Sequence, residues 1–344
     1  MISNTQQLGL AASSSRACGL LNRTCCRTVS HRLLGPSSVN HRGWKSFRCS
    51  AKPPSVDKDN NDSTLEPTRR TTGPEPKKFE VSEGQLGEVV GAALPILFRF
   101  GSGALVSGWK ASWIPDEGQP EYTFAKFGGN RLRETSNIPN FQRPEKPLEI
   151  YEFEACPFCK KVREAVSILD IDVVFYPCPR DGKVWRPKAV EMGGKSMFPY
   201  MVDPNTGTAM YESDDIIKYL FEKYGDGQVP LTLRLGALTA LSAGLGQAPR
   251  VGRGAKARAS EVPAQPLVFW GYEGSPFVKL VREKLCELEL PYLQRTCARG
   301  SSKRTEMLEK FGHFQVPMLE DPNTGEAMFE STYIIDYLEK TYAR

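Results

Sequence analysis

Two stretches decide the fold: LEIYEFEACPFCKKVREAVSILDIDVVFYPCPR at residues 148–180 and LVFWGYEGSPFVKLVREKLCELELPYLQRTCAR at residues 267–299. They align without a gap at 11 identities in 33 positions. A second pair follows: FPYMVDPNTGTAMYESDDIIKYL (198–220) and VPMLEDPNTGEAMFESTYIIDYL (316–338) share 14 of 23 after one residue is dropped from the loop between. One module is therefore present twice. In each copy an apolar, aromatic-rich run (Leu148 to Phe153, Leu267 to Tyr272) predicts a strand. Val162, Ala165, Val166 and Leu169 then recur at helical spacing, as do Val278, Val281 and Leu285. Asp172 to Tyr176 and Pro291 to Arg295 supply a second strand and complete a βαβ unit. Tyr200 to Asp203 and Ala209 to Tyr211 flank a Pro- and Gly-containing turn as a hairpin, and Ser213 or Ser331 caps a closing helix. The class is α/β, with the order βαβ, ββα occurring twice.

Cys156-Pro157-Phe158-Cys159 falls at the first strand-to-helix turn. Unpaired N–H groups at a helix start favour a thiolate there, and Lys160 and Lys161 add positive charge. Cys159, one turn on, is within reach to displace a substrate from a mixed disulfide, and Pro157 fits the first turn without losing a needed N–H. A lone Cys-x-x-Cys is also half a metal site. A structural zinc site wants four ligands, however, and no second pair follows, while His313 is the only His after the leader and lies in the other copy. A redox site leads, with metal or cluster ligands and structural thiols as the alternatives; no metal ligand set is assigned.

This element order with its Cys-x-x-Cys resembles the thioredoxin fold, and more narrowly glutaredoxins and the amino-terminal domain of glutathione transferases, over residues 148–227 and 267–344. It is most similar to plant plastid proteins with two tandem domains of the glutathione-transferase amino-terminal type. The resemblance implies a cis proline at Pro199, exposing the backbone of Phe198 to the peptide part of glutathione; a strand-edge proline is the plain alternative. It places Glu212 and Ser213 at the γ-glutamyl end, where N–H groups meet a carboxylate, with Asp214 assisting through the amine; simple capping needs Ser213 alone. Arg186 and Lys188, in the opposite loop, could draw the glycyl carboxylate, though a solvated loop charge is favoured.

In the second copy Ser275-Pro276-Phe277-Val278 replaces the thiol motif, so disulfide exchange is chemically impossible there. Val316, Pro317, Glu330 and Ser331 nonetheless keep the apparent cradle. This half is read as a structural partner, with a glutathione site using Ser275 on the sulfur, as in serine-type transferases, as the alternative. Cys178 and Cys297 recur at the end of the second strand and are expected to pack in the core, as is Cys286.

Outward from the repeats, residues 1–56 hold six Arg, two Lys, ten Ser and no acidic residue. They are expected to form a transit peptide of chloroplast type, with a mitochondrial one as the alternative. Residues 57–84 read as a disordered linker. Beyond residue 56 the balance is 37 basic against 40 acidic residues, which leaves no nucleic-acid footprint. Apolar, Gly-rich segments precede each module, within 85–147 and 228–266. They share Pro-x-x-x-Arg-x-Gly (Pro95 to Gly101, Pro230 to Gly236) and are too short to span a bilayer. Helices packing on the modules are expected, with peripheral membrane contact by 89–108 and 229–245 as the sharper alternative. The functional expectation is a glutathione-linked thiol–disulfide oxidoreductase acting through Cys156 and Cys159. Glutathione would be its co-substrate and a disulfide or glutathionylated protein its partner. The alternatives are a non-catalytic module holding glutathione, an iron–sulfur cluster or a protein, and, more weakly, a serine-type transferase at Ser275.

Overall fold

The computed structural model describes residues 69–76, 81–250 and 252–344. The transit-peptide reading of 1–56, and the linker reading for 57–68 and 77–80, lie outside these residues. The first module runs β4 (Leu148–Glu152), α2 (Pro157–Ile168), β5 (Val173–Pro177), α3 (Trp185–Gly193), β6 (Tyr200–Asp203), β7 (Thr208–Met210) and α4 (Ser213–Tyr224). The second repeats it as β8 (Leu267–Gly271), α7 (Pro276–Glu287), β9 (Tyr292–Thr296), α8 (Lys303–Phe311), β10 (Met318–Glu320), β11 (Ala327–Phe329) and α9 (Ser331–Tyr342). Each is thus a βαβ unit and a ββα unit, the thioredoxin-like order expected from the repeat, with one further helix, α3 or α8, in the variable loop.

Period-two alternation sorts the strand residues between two faces. Leu148, Ile150, Leu267 and Phe269 join α2, α4, α7 and α9 in one continuous core, while Tyr151 packs beneath α3 and Trp270 beneath α8. Cys178 and Cys297 are buried in those lower clusters. The two modules share a single eight-stranded sheet of order β11-β10-β8-β9-β5-β4-β6-β7. They meet where β5 pairs antiparallel with β9, Val174 opposite Leu293 and Phe175 opposite Tyr292. Each edge strand thereby satisfies the other's backbone groups, which would otherwise invite pairing with another chain.

Above the seam lies a buried ionic cluster. Lys160 Nζ reaches Glu273 Oε1 at 2.6 Å and Arg163 Nε reaches Glu273 Oε2 at 3.1 Å; reciprocally, Lys279 Nζ meets Glu154 Oε1 at 2.7 Å and Arg282 Nε meets Glu154 Oε2 at 3.1 Å. Burial pushes the Glu273 carboxyl up, but Arg282, Lys160 and Arg163 overcome it and hold the group well below its ordinary range.

The leading segments are helical: α1 (Leu86–Phe98), and α5 (Leu231–Arg234) with α6 (Ala237–Gln247). They pack on one another and on α7 and α2 respectively, as the plainer expectation had it. Arg99, just after α1, pairs with Glu164 at 2.8 Å, and Arg250, just after α6, pairs with Glu283. Residues 85–147 hold more than an apolar segment and loop. Strands β1 (Lys110–Pro115), β2 (Lys126–Phe127) and β3 (Asn130–Thr135) form a separate sheet of order β1-β3-β2. Its mostly exposed positions carry no apolar alternation from which it could be read. The linker reading is corrected for residues 69–73. Thr72 lies beside Met328 of β11, its N–H donating to Ala327 O at 2.7 Å, and Arg69 pairs with Glu320 at 2.5 Å. Backbone pairing to a sheet edge requires no periodicity in the paired segment.

Glu273→Gln leaves three buried cations short of their partner, and is expected to lower the free energy of unfolding by about 3–5 kcal/mol in urea titration. The wild type should also unfold in acid through this cluster. A carboxylate depressed in the fold stabilises fully above its unfolded value of about 4.3, and loses that contribution as pH falls toward the folded value. Thermal unfolding from pH 7 to 3 should therefore show stability falling below about pH 4.3, less steeply in Glu273→Gln.

Candidate active site

Strand β4 delivers the chain through Phe153, Glu154 and Ala155 to Cys156, whose φ of −85° and ψ of 122° make it the N-cap of α2. Its Sγ accepts the Cys159 N–H at 3.3 Å, as an N-cap side chain ordinarily does for the third residue of a helix. Pro157 takes the first helical position. The Cys156 thiol also donates to the carbonyl of Phe198 at 3.9 Å. The Phe198-Pro199 bond is cis, as the resemblance implies. Because β6 runs antiparallel to β4 and β7 antiparallel to β6, the end of β7 returns to the same end of the sheet as the end of β4. Glu212 and Ser213 open α4 there. Glu212 has a φ of 64°, a left-handed conformation that side-chain-bearing residues rarely adopt.

Hydrogen bonding from the Cys159 thiol holds the Cys156 thiol below its ordinary value; burial pushes the other way, and the Cys159 N–H adds to the lowering. Burial, reinforced by Cys156, drives the Cys159 thiol well up. The two sulfurs are thus pushed apart in acidity, one toward thiolate and one toward thiol. Lys160 and Lys161 do not serve the sulfur as the sequence suggested. Lys160 is committed to Glu273, and the buried Lys161 ammonium pairs with Asp214 at 2.5 Å. Asp214 therefore ties the start of α4 to α2. Arg186 lies 4.5 Å from the centre of the Phe198 ring and donates to Pro179 O and Ser196 Oγ, flanking the site. Lys188 instead sits over Trp185 and Tyr176. Access to the sulfur is narrow, with Cys156 only 4% exposed.

The second module reproduces the geometry without the thiols. Ser275 is the N-cap of α7 and accepts the Val278 N–H at 3.4 Å, Val316-Pro317 is cis, and Glu330 has a φ of 71°. Ser275, Val316, Pro317, Glu330 and Ser331 all line one cleft of about 860 Å³. Two of its walls went unread in the sequence. Arg304 holds the position of Arg186 and lies 4.5 Å from the Phe314 ring centre; its Nη1 donates to Tyr122 Oη at 2.9 Å. Tyr122 stacks edge-on to Phe314 at 4.6 Å and belongs to the 118–124 stretch that roofs the cleft. The equivalence of Arg186 and Arg304 was available from the repeat. Tyr122 stands in a segment with no duplicate and no period. Among the described residues no group of three or more His, Cys, Asp or Glu is placed to hold a metal ion.

Residues 150–228 and 269–344 each match the family model of the glutathione S-transferase N-terminal domain. The two thioredoxin-like modules in tandem are therefore similar to that domain, over somewhat less than half of the chain. Among solved structures it is similar to the Bombyx mori glutathione transferase BmGSTD1, at 26% identity over 24% of this chain and 38% of that chain, with a TM-score of 0.22. It is also similar to that enzyme's complex with GTT, at 24% identity over 29% of this chain and 46% of that chain, with a TM-score of 0.24. The chain therefore spans less than half the length of the transferase structures it matches. No curated protein matches it.

Alkylation with iodoacetamide at neutral pH, followed by peptide mass spectrometry, should label Cys156 before the other four cysteines of the described residues. Burial raises the thiols of Cys178, Cys286 and Cys297, the last to about 12, so these should stay unlabelled until the chain unfolds.

Proposed function

We propose that the protein is a glutathione-linked thiol–disulfide oxidoreductase that works through Cys156. The observation that carries this reading is the N-cap. One sulfur accepts a helix N–H and is held below its ordinary pKa, beside a second sulfur held protonated. In the forward step the Cys156 thiolate attacks the glutathione sulfur of a mixed disulfide. A new disulfide forms between Cys156 and glutathione, the old bond breaks, and the substrate thiolate departs and is protonated. Reduction of the enzyme-bound glutathione then follows by either of two routes. A second glutathione thiolate can attack its sulfur, giving oxidised glutathione and regenerating Cys156. Alternatively Cys159, after losing its proton, attacks Cys156 Sγ, releases glutathione and leaves a Cys156–Cys159 disulfide. The buried and strongly raised Cys159 favours the first route. The narrow access to Cys156 favours small or extended disulfides over folded surfaces.

In a coupled assay on a small glutathionyl mixed disulfide, Cys156→Ser should abolish turnover and Cys159→Ser should keep it within about tenfold. Equal loss in both variants would instead require the dithiol route, and no turnover in the wild type would remove the enzymatic reading.

The second-module cleft favours an additional reading, binding without exchange. Ser275 spends its oxygen on the Val278 N–H but keeps a hydroxyl proton to donate, and Ser331 opens α9 at the cleft wall. Glutathione would lie here as a held ligand, with its γ-glutamyl carboxylate at the α9 terminus. Calorimetric binding of glutathione to the Cys156→Ser protein should include a component weakened about tenfold by Ser331→Ala and left in place by Ser213→Ala.

A further inference from the structure

Helices α1 and α6 turn most of their bulky apolar side chains outward, while α5 exposes Leu231 and buries Leu233. On α1, Leu86, Val90 and Leu97 are half to two-thirds exposed, while Val89, Ala92 and Pro95 face inward. Along α5 and α6, Leu231, Leu238, Leu241 and Leu245 are exposed to a similar degree, against buried Thr239 and Ala243. Phe100, at the tip of the turn after α1, is 89% exposed. This pattern reverses that of an ordinary surface helix, in which the bulky apolar stripe faces the core. Small residues at the contact and large aliphatic ones outside are instead how helices pack within lipid. α1 and α6 pack on each other, so these exposed side chains lie on neighbouring helices, and exposed apolar patches mark interaction sites.

The chemistry of the face selects its occupant. Protein interfaces concentrate Tyr, Trp and Arg anchors and need hydrogen-bonding groups across them, and Leu is under-represented among their hot spots. This face offers Leu, Val and Phe. Residues 231–247 contain no Asp or Glu. The one carboxylate of α1, Glu88, is neutralised by Arg250 and Arg253. Arg234 is exposed at the end of α5 and carries the charge that anionic headgroups attract. No helix among the described residues is long and apolar enough to cross a membrane. We infer that α1, α5 and α6 form a bilayer-docking surface, lying in the membrane plane with their leucines and Phe100 at the headgroup–acyl boundary. Gly244 of α6 lies beside Pro157, the residue after Cys156, so the helix that carries the exposed leucines packs against the start of α2. The docking itself does not depend on the thiol chemistry.

The test is co-sedimentation of the full chain with vesicles of phosphatidylcholine containing phosphatidylglycerol. Leu238→Glu combined with Leu241→Glu is expected to weaken partitioning about tenfold or more, with an unchanged melting temperature because both positions face solvent. Wild type and variant share the basic leader, so the difference reports on the face. Phe100→Trp supplies a second readout that leaves α6 intact: its added fluorescence should be quenched by brominated lipid. Equal sedimentation of wild type and double variant, or no added quenching, overturns the proposal. So does a solution dimer that the double variant dissociates while vesicles stay unbound, since the face would then belong to a second copy.

Discussion

The N–H groups at the start of a helix need an acceptor from the residue that precedes it, and that requirement organises both modules. In the first the acceptor is the sulfur of Cys156, in the second the hydroxyl oxygen of Ser275. The same backbone bends through the same N-cap, the same cis Xaa-Pro and the same left-handed Glu before Ser. Duplication has kept the scaffold and let the atom at its focus change. A thiol there becomes more acidic because the Cys159 thiol and then the helix-start N–H hydrogen-bond to the sulfur, whereas a hydroxyl remains a hydroxyl.

The seam ties the two halves together by reciprocal contacts. Each module offers one edge strand and one carboxylate to the other, Glu154 to Lys279 and Arg282, and Glu273 to Lys160 and Arg163. Both carboxylates lie in the loops that lead to the N-caps, two residues before Cys156 and Ser275. The ionic cluster that joins the modules therefore also holds the two site loops. Arg99 and Arg250 extend it to the leading helices, so those helices are bound by charge as well as by their small inward residues.

Much of the module was legible because strand and helix periods and the DPNTG turn are local signals; Ser213 and Ser331, expected as caps, are instead the first residues of α4 and α9, whose N-cap residues Glu212 and Glu330 make no side-chain cap bond. Pro199, Glu212, Ser213 and their partners in the second copy came from the repeat and the family resemblance together, and the structure brings them to one end of the strands in each module. The seam was not legible, since nothing in β5 or β9 states which neighbour it will meet. The buried ions were hidden for a related reason. Lys160, Arg163, Lys279 and Arg282 occupy helix positions that would ordinarily face water, and only the opposite module covers each pair. The roof over the second cleft depends on Tyr122, in a stretch too irregular to place. The exposed leucines of α1 and α6 fit the apolar pattern of a packed helix, and their sequence does not say which face points out.

The most direct measurement is the ionisation of one sulfur. Thiolate absorbance near 240 nm followed against pH, as the difference between wild type and Cys156→Ser, isolates Cys156 from the other thiols. The account requires a midpoint below the free-thiol value of about 8.5. A midpoint at or above that value would mean that burial outweighs the helix N–H and the neighbouring thiol, and Cys156 would then be a core residue rather than a nucleophile.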